Sequence, residues 1–119
     1  QLSSSTVFGG ELEHELLGEI RNRIIDDFLD IIILRELEDG SLGCYDVISR
    51  VHNRHDRQLS SGKTYSRLYS LEKRGLVRSM LNSNKRVFIL TESGRDALRE
   101  IANEKNRILG YLLNLIEGE

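Results

Sequence analysis

The chain has 119 residues, 39% of them hydrophobic and 30% charged, which suits one globular domain with a modest core and excludes most multidomain enzymes. It contains no proline, where average usage would give about six, and one cysteine, Cys44, so neither an intrachain disulfide nor a multi-thiolate zinc site can form. The formal net charge of −2 divides unevenly: residues 1–40 hold ten acids and three bases, residues 41–90 three acids and ten bases, and residues 91–119 six acids and four bases.

The three segments therefore carry −7, +7 and −2. A basic block between acidic flanks is the asymmetry of a chain that turns one region toward a polyanion, with the acids placed away from that face. No stretch approaches the roughly 18 unbroken apolar residues of a membrane span. The low cysteine content and the lack of a signal-peptide pattern predict a reducing, cytoplasmic setting, and Gln1 in place of methionine reads as a trimmed terminus.

Residues 1–10, QLSSSTVFGG, read as a loose arm. From Glu11 the pattern is helical, with Leu12, Leu16, Ile20, Ile24 and Phe28 at every fourth position and Gly18 as the place where the helix would break. Phe28, Leu29 and the run Ile31–Leu34 with Leu37 are too apolar for a one-sided surface helix and predict a central core helix ended by Asp39 and Gly40. A second stretch, Cys44 to Arg54, puts Cys44, Val47, Ile48 and Val51 on one narrow face. Ser60 is an N-cap for a third helix, Ser61 to Arg74, with Tyr65, Leu68, Tyr69 and Leu71 inward and Gly75 as its stop. Leu76–Leu81 and Arg86–Leu90 are β-prone runs around a four-residue turn, Asn82–Lys85. Thr91 then caps a long last helix, about residues 92–117, whose Leu98, Ile101, Ile108, Leu112 and Leu115 form a heptad seam that calls for a partner helix.

This order predicts a mainly α fold with a small β-hairpin: a winged helix-turn-helix carrying an extra N-terminal helix and a long C-terminal dimerisation helix, one domain over residues 11–119. Ser60, Ser61, Gly62, Lys63 and Thr64 give the third helix a small, polar first turn able to approach a phosphate or groove edge, with Arg67 one turn beyond Lys63. Tyr65 joins the same contact set. Arg78, Lys85 and Arg86 read as a cluster beside the hairpin turn, placed for backbone phosphates. Leu12, Leu16 and Ile20, with the C-terminal seam, form the dimer face.

Three patterns invite other chemistry. Gly62-Lys63-Thr64 imitates the end of a phosphate-binding loop, but the required earlier glycine is Arg57 and no strand precedes it. His52, His55, Asp56 and Cys44 are too sparse for a metal centre and read as plain surface residues. The tyrosines and phenylalanines fit core packing better than a ligand pocket where they fall at helical spacing. No catalytic arrangement stands out, and neither an enzyme nor a cofactor is predicted.

The stretch LSSGKTYSRLYSLEKRGLV, followed by RVFILTESGRDAL, resembles the PadR-like family of winged-helix transcriptional regulators. The family pattern is met by Tyr65, Leu68, Leu71, Glu72, Gly75, Leu76, Leu90, Thr91 and Gly94, and Cys44-Tyr45-Asp46-Val47 looks like its Gly-Tyr-Asp/Glu-Ile segment. Cys44 replaces a usual glycine, Lys63 a common threonine and Thr64 a common apolar residue. The resemblance implies a homodimer that binds operator DNA at the nucleoid, usually as a repressor. A protein-interaction module that has lost DNA binding is the alternative, and a small-molecule sensor is a weaker third reading.

Overall fold

The computed structural model describes residues 6–118, with side chains described from His14 to Gly118. Six α-helices and one hairpin follow in order: α1 (Thr6–Asp27), α2 (Leu29–Glu36) with a 3-10 turn at Leu37–Asp39, α3 (Cys44–His55), α4 (Ser61–Lys73), β1 (Val77–Asn82), β2 (Lys85–Leu90), α5 (Glu92–Asn103) and α6 (Lys105–Glu117). Among the described residues no helix is long and apolar enough to cross a membrane.

α1 starts at Thr6, so residues 6–10 of the predicted arm are helical, and it runs through Gly18 without a break. The chain bends instead at Phe28 (φ −102°, ψ 22°), where α1 gives way to α2. Hydrogen bonds from Phe28 N to Ile24 O (2.9 Å) and from Ile32 N to Phe28 O (3.0 Å) span the bend. A glycine lowers helix propensity by only about 1 kcal/mol. The bend falls where Leu29, Ile33, Leu34 and Leu37 turn into the core while Ile20, Ile24 and Phe28 stay exposed.

α2 is the central core helix, packed against α1, α3, α4 and α5. Ile33, Val47, Val51, Leu68 and Phe88 are fully buried around it. α3 buries Cys44, Val47, Ile48 and Val51, and the Asp46 carboxylate accepts from Gly43 N (2.9 Å) to close its first turn. At α4 the Ser60 hydroxyl accepts from Lys63 N (3.1 Å). The helix ends in a Schellman motif, with Leu76 N bonded to Leu71 O and Gly75 N to Glu72 O, and Gly75 at φ +80°.

The hairpin turn has two residues rather than the predicted four. Asn82 pairs with Lys85, leaving Ser83 and Asn84 at φ +54° and +65°, the left-handed pair that matches the strand twist. A reciprocal pair of bonds, Leu42 N to Phe88 O (3.1 Å) and Phe88 N to Leu42 O (2.8 Å), attaches the loop before α3 to β2.

The predicted single C-terminal helix is two helices, because the chain bends at Glu104, whose amide is shared between Glu100 O (3.0 Å) and Ile101 O (3.2 Å). α5 packs against α2 and β2, whereas α6 packs chiefly against α5 and has no buried residue among those described. Leu98 is 2% exposed within the core, so it leaves the predicted dimer face. Ile101, Ile108 and Leu112 are half-buried, Leu16, Ile20 and Leu115 are exposed, and the Leu12 side chain lies outside those described. The radius of gyration, 17.1 Å, exceeds the roughly 13.5 Å of a compact chain of this length, and the long axis is 54 Å.

Candidate nucleic-acid interface

α4 presents an exposed stripe of Gly62, Lys63, Ser66, Ser70 and Lys73 at helical spacing, small in the middle and cationic at both ends. Leu68 and Leu71 hold its opposite side in the core. Ser60 is exposed and Ser61 half-buried at its start. Thr64 leaves the predicted contact set: it is fully buried, and its hydroxyl donates to Ser60 O (2.8 Å). A buried polar side chain bonded to its own helix has nothing to offer a ligand outside.

Arg67 is half-buried and donates from one guanidinium nitrogen to Asp26 O (3.2 Å), so it is held against the end of α1. Tyr65 is half-buried and stacks on Tyr69, with ring centroids 5.9 Å apart and planes 15° apart. Tyr69 meets the buried Phe88 ring edge-on at 5.6 Å and is itself exposed, as are Tyr45, Tyr111 and Phe28, so core packing accounts for fewer aromatics than their spacing predicts. Burial raises the Tyr65 hydroxyl above its usual range, keeping it protonated.

The predicted basic cluster on the hairpin does not form. Leu81 pairs with Arg86 and Arg78 with Ile89, so Arg78 and Arg86 project from opposite faces of the ribbon, and only Lys85 sits at the turn. All three are exposed. Arg86 donates to the Ser79 hydroxyl (3.1 Å), which donates to Glu72 (2.7 Å), and Ser79 N donates to the same carboxylate oxygen (2.9 Å). The two bonds from Ser79, helped by the charge of Arg86, hold the Glu72 carboxyl below the usual range and fasten the wing to α4.

Four cations of the basic block are paired with acids from the first segment. Arg54 and Arg50 reach Glu36 at 2.8 and 3.5 Å, Arg57 reaches Asp26 at 2.6 Å, and Arg74 reaches Asp30 at 3.8 Å. The acids of residues 1–40 are thus not all set apart from the basic block. Lys63, Lys73, Arg78, Lys85 and Arg86 have no carboxylate partner among the described residues, and they lie on α4 and the wing. Ser66, Ser70 and Lys73 were absent from the predicted contact set, although all three lie on the helical stripe that begins at Gly62. Cys44 is buried, with its sulfur 3.9 Å from Ser61 O and its thiol raised by burial, and no cluster of three metal-ligating side chains occurs among the described residues.

The fold has counterparts. A PadR-family regulator from hypervirulent Clostridium difficile is similar at 25% identity and TM-score 0.63, covering 75% of this chain and 97% of that one. Bacillus subtilis PadR, solved in complex with operator DNA, is similar at 25% identity and TM-score 0.51 over 60% of this chain and 45% of that one. A winged-helix DNA-binding protein from STIV shares the fold at 21% identity and TM-score 0.58, over 71% and 91% of the two chains. Among curated proteins none matches. The description of the transcriptional regulator PadR-like family matches residues 33–100, more than half of the chain, from the core helix through the helix-turn-helix and wing into α5. With its winged-helix architecture and its α4 and wing in place, the chain belongs to the PadR-like family of transcriptional regulators.

Proposed function

We propose that the protein is a sequence-specific DNA-binding repressor that acts at the nucleoid as a homodimer. The observation that carries this reading is the α4 stripe, an exposed helix face whose middle is narrow enough for a major groove and whose ends, Lys63 and Lys73, are exposed cations with no carboxylate partner among the described residues. Ser60, Ser61, Gly62 and Lys63 form the leading turn, Tyr65 and Arg67 flank the stripe, and Arg78, Lys85 and Arg86 of the wing take backbone phosphates. Its relative from Bacillus subtilis was solved on operator DNA, which supports a duplex as the ligand.

The dimer would cover the apolar residues that the monomer leaves open: Leu16 and Ile20 on α1, and Ile101, Ile108, Leu112 and Leu115 on α5 and α6. Two α4 helices about one helical turn of DNA apart, roughly 34 Å, would then read a pseudo-palindromic site. Selection of bound duplexes from a random pool tests sequence specificity, with enrichment of an inverted repeat as the expected result. A mobility-shift series in salt and a promoter-reporter assay test phosphate contact and repression. A folded dimer that retains no duplex would favour a protein-interaction module instead.

A further inference from the structure

α1 ends with Asp26 and Asp27 and has no basic residue in its last turn, although the carbonyls at a helix C-terminus favour positive charge. That charge comes from the helix-turn-helix. The Asp26 carboxylate accepts from Arg57 Nε (3.1 Å) and from a terminal guanidinium nitrogen of Arg57 (2.6 Å), a two-point grip across 31 residues of sequence. The Asp26 carbonyl accepts from Arg67 (3.2 Å). A cleft of about 290 Å³ between α1 and α4 is lined by Asp26, Asp27, Leu29, Leu59, Lys63, Ser66 and Arg67, so the acidic end of α1 borders the exposed stripe of α4.

We propose that Asp26 is a specificity-determining residue, which limits binding to non-specific duplex by withholding Arg57 from backbone phosphates and restraining Arg67. The inference rests on the DNA-binding reading above. A phosphate that takes Arg57 must displace a carboxylate already in two-point geometry, so exchanging one anion for the other gains little. The fixed negative charge beside Lys63 also opposes any backbone that approaches without the base contacts of a seated complex. The acids of the first segment thereby act on the candidate DNA face from within it.

The test is the salt dependence of binding of the full chain to a random-sequence duplex. Each phosphate contact contributes about 0.9 to the slope of log K against log salt. Asp26→Asn is expected to bind this duplex several-fold more tightly, with a slope steeper by about 0.9, while Arg57→Gln keeps the wild-type slope. The proposal is overturned by an Asp26→Asn slope equal to wild type, or by an Arg57→Gln slope shallower by about 0.9, which would mean that Arg57 already holds a phosphate. Wild-type protein that retains no duplex at any salt overturns the DNA-binding reading and this inference together. If the wild type binds and the variants fail these expectations, only the inference falls.

Discussion

Arg54 Nε lies 2.8 Å from an oxygen of Glu36, a carboxylate only 5% exposed at the end of the core helix. Arg50 reaches its other oxygen at 3.5 Å, so α2 and α3 are tied by one buried acid and two mostly solvated cations. Removing Arg54 leaves that acid with the longer contact alone. Arg54→Ala is expected to cost about 1–2 kcal/mol, because an under-satisfied buried acceptor loses its hydration without full replacement. The double variant Glu36→Leu/Arg54→Ala should recover most of the loss, since an apolar side chain suits the site. Urea denaturation of both variants checks this.

Lys63→Ala and Lys73→Ala are each expected to lower the slope of log K against log salt by about 0.9 while leaving the fold intact. Both side chains are exposed and neither has a carboxylate partner among the described residues. Arg67→Ala should behave differently, because it also frees the Asp26 carbonyl, and its melting temperature should fall along with its affinity. Fluorescence anisotropy with a labelled duplex, paired with thermal melts, separates the two behaviours.

Gly94 has no room for a side chain. An added Cβ would fall on the Leu76 carbonyl oxygen and 2.6 Å from Leu90 Cδ1, and Thr91 already uses its hydroxyl to cap Gly94 N and to bond Gly75 O. Gly94→Ala is therefore expected to destabilise the protein by about 3 kcal/mol, as overpacking against backbone does. Thermal unfolding by circular dichroism should show a markedly lower midpoint with an unchanged helical signal below it.

The Asp26 carboxyl is held below the usual carboxylate range, first by its hydrogen bond with Arg57, against the opposing effect of burial, and further by the charges of Arg57, Lys63 and Arg67. Its native value lies below its unfolded one. The stability it contributes is present above the ordinary Asp range and is lost as pH falls through the lowered native value. The melting-temperature difference between wild type and Asp26→Asn should therefore be full at neutral pH and vanish in strong acid.

Leu115 and Ile116 near the end of α6 are both 77% exposed, an unfavourable position for two large apolar residues on an isolated helix. If the proposed homodimer uses this face, Leu115→Glu is expected to shift the protein toward monomer in sedimentation at micromolar concentration, with the helical content of α2 to α5 retained. A variant that sediments as the wild type would place the dimer contact elsewhere.

What the sequence revealed best was local. Ser60 and Thr91 are caps because a side-chain oxygen three residues before a free amide is a short-range arrangement, and Gly75 marks a stop for the same reason. Helix and strand identities from Cys44 to Leu90 follow from periodicities of a few residues. The bends at Phe28 and Glu104 were not visible, because they are imposed by which helices pack against the core rather than by a breaker residue. The Asp26–Arg57 pair spans 31 positions and has no sequence signature. Thr64 carried a signal that was there to be used: it stands where relatives of the family resemblance have an apolar residue, and it is buried.

The reciprocal bonds between Leu42 and Phe88 join the wing to the segment that launches α3, and the Arg86–Ser79–Glu72 chain joins it to α4. Wing and helix-turn-helix are thus tied together at two points, which under the proposed DNA-binding reading sets the span between the two edges that would meet a duplex. A duplex gripped by both edges has to supply the adjustment itself, by widening a groove or bending at a soft step. Base steps that neither edge touches would then influence affinity through the stiffness of the DNA.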